Sequence, residues 1–428
     1  MKSSTSYIIL TALALIFVTA ESFQCSSAKH AQMLSPRSVD SEYIVKVLSA
    51  DSLEGRGTGT EGERKAAAFI VEQFQHLRLI PKGDHNTWYQ TFSFTPHPPV
   101  QLHQVGDSVK MGMGLVKEIV GKNVLAYLDN GASQTIVIGA HYDHLGFGDE
   151  NSLFTGGKAI HNGADDNASG VAVMIELAEK ISKSKLKNNN YLFIGFSGEE
   201  KGLWGSNFFC KNPTVANMNY MINLDMVGRL NNERSLAISG VGTAPEWKSV
   251  LESNNTSKFS LVLTESGVGP SDHTSFYNTG IPAIHLFTGQ HSDYHKPSDD
   301  ADKINFSGIH DITDYLFRVI SDLNDNGKLV FQKTKDESTS TAADFKVTLG
   351  VMPDYLYSGE GMRIDGVKED RPASKAGLKQ GDIIKKIGEI QVKDMMSYME
   401  ALSKFEKGQK TTIIYVRDGI EQSTEVTW

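Results

Sequence analysis

The chain is poor in cysteine: of 428 residues only Cys25 and Cys210 carry a thiol. Two cysteines cannot build a disulfide framework, and without a CxxC pair or a Cys/His cluster there is no basis for thiolate metal ligation. Clustered positive charge is also missing. Lys and Arg total 42 against 51 Asp and Glu, a formal net charge of -9. An acidic chain without a dense basic run is not built to hold nucleic acid. Beyond the N-terminus, no stretch is apolar enough to span a bilayer. What remains is ordinary globular composition, 39% hydrophobic and 22% charged, in a chain too long for one typical domain.

The first residues have the pattern of a targeting segment. Lys2 precedes an apolar run over residues 7–18, short for a membrane span. Val18-Thr19-Ala20 then offers the residues a signal peptidase needs. Residues 1–20 are therefore predicted to be a signal peptide, and the product to be exported, periplasmic or secreted. A lipoprotein attached through Cys25 is the weaker alternative, because Ser22-Phe23-Gln24 puts bulky residues where a lipobox has small ones.

Ser41 is predicted to cap a helix carrying Ile44, Val47 and Leu48 at helical spacing. A glycine-rich stretch, residues 54–62, leads into a second helix with Ala66, Ile70, Phe74 and Leu77 on one face. Farther on, residues 123–128, 135–140, 191–196, 221–224 and 283–287 are strand-like, and 170–181 is helical. Runs apolar on both faces, separated by helices, predict an α/β fold with a largely parallel sheet covered on both sides. Sites in such folds collect beyond the carboxyl ends of the strands. Residues 331–344 are polar and lack apolar periodicity, so they are assigned as a linker. This divides the mature chain into residues 21–330, the linker, and a small domain at 345–428.

Acids and imidazoles cluster at those strand ends. Strand 135–140 runs into His141-Tyr142-Asp143-His144, an HxD in which Asp143 could orient His141 as a metal ligand. Gly163-Ala164-Asp165-Asp166-Asn167-Ala168-Ser169-Gly170 opens the helix at 170. Strand 191–196 ends in Ser197-Gly198-Glu199-Glu200, and strand 221–224 ends in Asp225. Tyr294-His295-Lys296-Pro297-Ser298-Asp299 follows the last strand. Each piece alone could be a helix cap or solvated surface. Five in order at such positions supply two imidazoles and three carboxylates, enough for two divalent ions with one carboxylate shared, plus a glutamate as base.

HYDH, NGADDNASG, FSGEE, NLDMVGR and SDYHKPSDD together resemble the co-catalytic zinc exopeptidases. That family includes secreted bacterial aminopeptidases, glutamate carboxypeptidase relatives and glutaminyl cyclases. The likeness runs over about residues 41–325. It implies a three-layer, phosphorylase/hydrolase-like sheet and two zinc ions per chain. One zinc would be held by His141, Asp165 and Asp225, the other by Asp165, Glu200 and His295. Asp165 is then the bridge, a cis peptide joins Asp165 to Asp166, and Glu199 is the general base. Apart from the resemblance, Asp299 is expected as a supporting partner of His295. The implied substrates are peptide or protein N-termini. A carboxypeptidase or dipeptidase of the same family stays open, with only Arg229 beside a motif to receive a carboxylate. So does a non-catalytic binding protein.

His144 is expected to support the site or line its pocket, and His161 and His291 to be loop residues. His285 is assigned to the core or pocket wall. Ser271-Asp272-His273 is not taken as a triad, which is recognised by geometry rather than adjacency. Gly57-Thr58-Gly59-Thr60-Glu61-Gly62 matches GxGxxG, but residues before it are helical by spacing, where a dinucleotide site needs a strand.

In residues 345–428, the run from Ile364 through Ile384 resembles PDZ domains of bacterial exported proteases, a small α+β fold. The resemblance makes Leu349-Gly350-Val351 the loop that would hold a peptide carboxylate. Pro353 departs from the pattern by removing a ladder donor from the adjoining strand. A peptide ligand and a docking or regulatory role are both left open.

Overall fold

The computed structural model describes residues 39–94, 100–105, 108–113, 118–148, 151–334, 347–353, 357, 359–367, 371–393 and 395–428. The expected leader at 1–20, Cys25 and most of the expected linker lie outside the described residues. Among those described, no helix is long and apolar enough to cross a membrane.

The first helix, α1 (Ser41–Leu48), is capped by Asp40, whose side chain accepts from Tyr43 N. Ser41, expected as the cap, is instead the first helical residue, and its Oγ donates to Glu176 Oε2 at 2.7 Å. Either residue could cap by type; the contact with distant Glu176 decides between them. The next helix, α2 (Glu61–His76), is capped by Thr60. Since α1 precedes the glycine-rich stretch, the strand required for dinucleotide binding is absent there.

Nine strands form the main sheet, in the order β1 (Ile80–Pro81), β5 (Ile119–Leu128), β7 (Asn190–Phe196), β6 (Thr135–His141), β8 (Met218–Leu224), β11 (Ala283–Phe287), β9 (Ser235–Ser239), β10 (Ser260–Thr264), with β2 (Tyr89–Phe94) also on β5. Strands β3 (Val100–Val105) and β4 (Ser108–Met113) make a separate pair. β7, β6, β8 and β11 are mutually parallel. The sheet is mixed rather than largely parallel, because β5 and β9 join this block antiparallel.

Every residue of β6 and of β7 is buried, as a strand covered on both faces requires. Ile136, Ile138 and Ala140 enter one core with α1, α2, α3 (Gly170–Ser182) and the long C-terminal helix Phe306–Leu323. Val137, Leu192 and Ile194 face the other way, toward Phe209 of α4 (Trp204–Lys211) and Phe276. Helices thus lie on both faces.

Register then fixes the site. Gly139 of β6 pairs with Asn223 of β8. Two residues farther along each strand, His141 comes level with Asp225.

Arg56 is almost fully buried and donates only to main-chain oxygens. Nε reaches Tyr142 O at 2.8 Å, Nη1 reaches Leu48 O and, at 2.6 Å, Asn162 O, and Nη2 reaches Gly163 O at 3.0 Å. One guanidinium thereby ties the end of α1 to the end of β6 and to the loop before Asp165. Burial lowers its pKa to about 10, opposed by Asp166 and Asp143. Gly163 in that loop has φ 58, and a Cβ there would come within 2.1 Å of Asp166 O.

The C-terminal region is an antiparallel sheet, β12 (Val351–Pro353), β13 (Met362–Val367), β14 (Ile383–Ile387), β16 (Lys410–Arg417) and β17 (Ile420–Thr427), with β15 (Ile390–Gln391) on β14. Its own core joins Leu349, Ile364, Ala373, Leu378 and Trp428. Pro353 lies on edge strand β12, where the register shifts against β13, the setting in which a sheet tolerates proline.

Replacing Arg56 with Leu removes the donor from four carbonyls, three of them in buried contacts. The expected loss is roughly 3–5 kcal/mol of unfolding free energy in urea. A loss below about 1 kcal/mol would mean that other donors serve those oxygens.

Candidate metal centre

Each functional side chain comes from the end of a central strand or the loop that follows it. His141 ends β6, Glu199 and Glu200 follow β7, Asp225 follows β8, and His295 lies beyond β11. The final member comes from the turn Ala164–Ser169 that opens α3.

That member is Asp166, not Asp165. Asp166 Oδ1 lies 3.3 Å from His141 Nε2, and Oδ2 lies 3.3 Å from His295 Nε2. His141 Nε2 is also 3.2 Å from Asp225 Oδ1, and His295 Nε2 is 3.3 Å from Glu200 Oε2. Two clusters therefore share one carboxylate, with one oxygen turned to each. Asp165 points elsewhere. Its Oδ1 accepts from Gly228 N at 2.7 Å and Ser169 Oγ at 3.0 Å, and its Oδ2 faces His291 Nε2 at 3.1 Å. The cis peptide likewise joins Asp166 to Asn167 rather than Asp165 to Asp166. Adjacent aspartates diverge along the backbone, and residue type cannot say which one turns inward.

Each donor is steered from behind, as ligating groups are. His141 Nδ1 lies 3.2 Å from the carbonyl of Asp143. The Asp143 carboxylate, expected to orient His141, is 3.9 Å from that nitrogen. It accepts instead from Thr58 Oγ1 at 2.8 Å and from Glu199 N at 3.1 Å. His295 Nδ1 pairs with Asn151 O at 2.9 Å. Asp299, expected behind His295, accepts from the backbone N–H groups of Asp165 and Asp166 at 2.9 and 3.0 Å. Asp225 Oδ2 accepts from Ser271 Oγ at 2.7 Å. His144 Nδ1 lies 2.7 Å from Glu200 Oε1, leaving Oε2 to the His295 side. His161 pairs with Ser152, and His291 faces Asp165.

The two adjacent glutamates separate electrostatically. Against burial, His295 and the hydrogen bond from His144 hold Glu200 down at about 2. Burial pushes Glu199 well above the usual carboxylate range, and Asp225 and Glu200 add to the push against His141. One acid is held ionised by imidazoles, and its neighbour is proton-hungry.

The residues fit a pair of divalent cations. Ligand-competent atoms of His141, Glu199 and Asp225 lie within 4.8 Å of one another, as do those of His144, Asp166 and Glu200. Imidazole nitrogen with carboxylate oxygen is a set zinc accepts. Against burial, the surrounding carboxylates raise His141 and His295 well above the usual imidazole range. The pocket calls for positive charge that neutral imidazole does not carry.

Sequence reasoning missed Asn151, Ser271 and the position of Asp166. Asn151 acts through its carbonyl, which leaves no trace in residue type.

Residues 123–320 match the profile of Peptidase family M28, and residues 331–427 that of the PDZ domain. The chain is 30% identical over 172 residues to a "Probable leucine aminopeptidase" of Arthroderma otae, covering 38% of this chain and 45% of that protein. It is 30% identical over 187 residues to "Aminopeptidase YwaD" of Bacillus subtilis, covering 40% and 37%. The match thus spans about half the length, or less, of these curated relatives. A zinc aminopeptidase from Bacillus subtilis superposes with TM-score 0.52 at 18% identity, covering 68% of this chain and 96% of that one. An aminopeptidase from Aneurinibacillus sp. strain AM-1 gives TM-score 0.51 at 19% identity, covering 71% and 97%. These two structures establish a common fold. Residues 123–320 thus carry the pattern of peptidase family M28, and residues 331–427 that of a PDZ domain.

Proposed function

We propose that the protein is an exported, two-zinc aminopeptidase that uses Glu199 as its general base. The observation that carries this reading is Asp166, with one carboxylate oxygen turned to His141 and the other to His295. His141, Asp166 and Asp225 would hold one zinc ion, and Asp166, Glu200 and His295 the other. Bound zinc supplies Lewis acidity, which acidifies water and polarises a peptide carbonyl.

The chain's own residues do the rest. Glu199 is poised to accept a proton from the attacking water, because burial favours its protonated form. It then returns that proton to the leaving amine. Asp143 fixes Glu199 through the backbone N–H. His144 holds one oxygen of Glu200 and so keeps the two glutamates in separate roles. Aminopeptidase names among the relatives support the same activity. Peptide N-termini are the substrates, and a peptide ligand at the PDZ domain fits that domain's general mode of recognition. Export, to the periplasm or outside the cell, rests on the residue pattern at 1–20 alone. A carboxypeptidase would need a cation free for the substrate's carboxylate. Arg229 Nη2 is already paired with Asp293 Oδ2 at 3.0 Å, which weighs against it.

The reading is tested on aminoacyl-anilides and N-blocked controls. Hydrolysis of the free-amine substrates only, lost on chelation and restored by zinc, is expected. Cleavage of blocked substrates alone would overturn it.

Glu199→Gln is expected to keep its zinc and lose activity by roughly 10²–10⁴-fold. Near-normal turnover would remove Glu199 as the base.

Zinc content separates the two aspartates. Asp166→Asn is expected to lose metal, while Asp165→Asn keeps most of it; the reverse result would restore Asp165 as the bridge. His144→Phe should weaken zinc affinity roughly 10–100-fold at the Glu200 side. His144→Asn, which retains an N–H near Nδ1, should recover much of that loss.

A further inference from the structure

Beside the metal centre lies a small apolar cluster of Met226, Ala237 and Phe287, with Val262 and Tyr294 packed against it. Met226 follows Asp225. Tyr294 precedes His295 and stacks on its ring with centroids 3.8 Å apart. The cluster therefore adjoins both halves of the centre. His285 shares this wall. It lies two residues before Phe287 on β11, its ring 6.1 Å from that of Phe287. On its other side it stacks on His273, with centroids 4.8 Å apart and planes 9° apart.

The depth of His285 follows from strand register. It pairs with Asn223 of β8, and Asn223 is two residues short of Asp225. His285 is thus on the order of 7 Å below the ligands along the strand direction.

Which nitrogen of His285 carries the proton follows from a chain of hydrogen bonds that starts at Asp225. Ser271 Oγ donates its one hydrogen to Asp225 Oδ2, at 2.7 Å. Ser271 Oγ then accepts from Asn223 Nδ2, at 2.7 Å. The second N–H of the same amide points at His285 Nδ1, 3.1 Å away. A ring nitrogen that accepts carries no hydrogen, so the neutral imidazole bears its proton on Nε2. Burial holds both His285 and His273 toward the neutral form. Both nitrogens of His273 are buried without a partner, while His285 keeps 8% of its surface accessible. His273 is a platform, and His285 offers the donor.

We propose that His285 is a specificity-determining residue. Its Nε2–H meets the end of the substrate's N-terminal side chain and selects a chain of glutamine length that ends in an amide oxygen. This rests on the aminopeptidase reading above. The apolar wall accommodates the methylene groups of such a side chain. An apolar chain of equal length leaves the N–H unpaired when it excludes water, which a site built around a donor penalises. A neutral ring brings no full charge to offset a carboxylate, so the amide is favoured over the acid.

The experiment compares glutaminyl- and methionyl-anilide, side chains of similar length that differ in the acceptor. The zinc-loaded full-length protein is expected to favour glutamine in kcat/KM by roughly tenfold or more. In His285→Phe, which keeps a ring in the stack, the ratio should collapse toward unity while zinc content holds. General damage would lower both substrates together and leave the ratio standing. His285→Gln retains an N–H and should keep part of the preference; it decides the matter if His285→Phe does not fold. Equal or reversed preference in the unmodified protein, or an undiminished ratio in His285→Phe, overturns the proposal. Cleavage of neither substrate by zinc-loaded protein would instead bring down the aminopeptidase reading, and this proposal with it.

Discussion

Carboxylates do not gather in a buried cleft unless positive charge meets them there. Asp166, Glu200 and Asp225 converge with Glu199 on two imidazoles. Like charges this close raise one another's pKa unless a cation or a hydrogen-bond donor intervenes. The surrounding architecture manages that repulsion. Parallel register brings His141 level with Asp225, and the divided carboxylate of Asp166 gives each half of the centre its own share of negative charge.

Order spreads outward from those acids, because each fixes the direction of the hydrogen bonds around it. Asp225 makes Ser271 a donor, which makes Asn223 a donor to both Ser271 and His285. On the opposite side Asp299 gathers two backbone N–H groups and pins the peptide that carries Asp166. Asn167 extends the same support, accepting from Gly170 N and Met226 N and donating to Leu224 O. Arg56 needs no carboxylate partner; its four carbonyl contacts hold the entry to the loop. Buried polar groups satisfied in this way make a site rigid, and rigidity fixes the separation of its ligating atoms.

Much of this was legible in the sequence, and the reason is periodicity. Fully apolar runs such as β6 and β7 announce buried strands, and an acid or imidazole just after such a run lies at a strand end. His141, Glu199, Glu200, Asp225 and His295 are brought together as that pattern suggests. What the sequence left unresolved depends on where one bond points. Asp165 and Asp166 are chemically identical and adjacent. Only the turn after Gly163, with φ 58, directs the second of them inward. At the first helix the cap is likewise one residue from the expected Ser41, at Asp40. The antiparallel edges were hidden for another reason: a strand's own residues carry no sign of its direction. Backbone partners such as the carbonyl of Asn151 are beyond any reading of side-chain type.

Buried polar groups without partners differ in kind between the metal centre and the packed cores. Among the described residues, unpartnered buried atoms include His144 Nε2, both oxygens of Asp272, both nitrogens of His273, Arg229 Nη1, His291 Nδ1 and Asp299 Oδ1. Each of these residues contacts the metal centre or belongs to the loops that frame it. A stability-driven core would replace them with hydrocarbon, since each unsatisfied group costs about 1–3 kcal/mol. The cores carry such groups too, at Tyr191 Oη, Tyr220 Oη and Trp247 Nε1 in one and at Trp428 Nε1 in the other, each the polar tip of a side chain that packs by its ring. In the cores the orphaned atom is one tip of a large aromatic ring whose burial offsets its cost. Around the metal centre most are imidazole nitrogens and carboxylate oxygens, the groups a charge-handling site keeps in reserve.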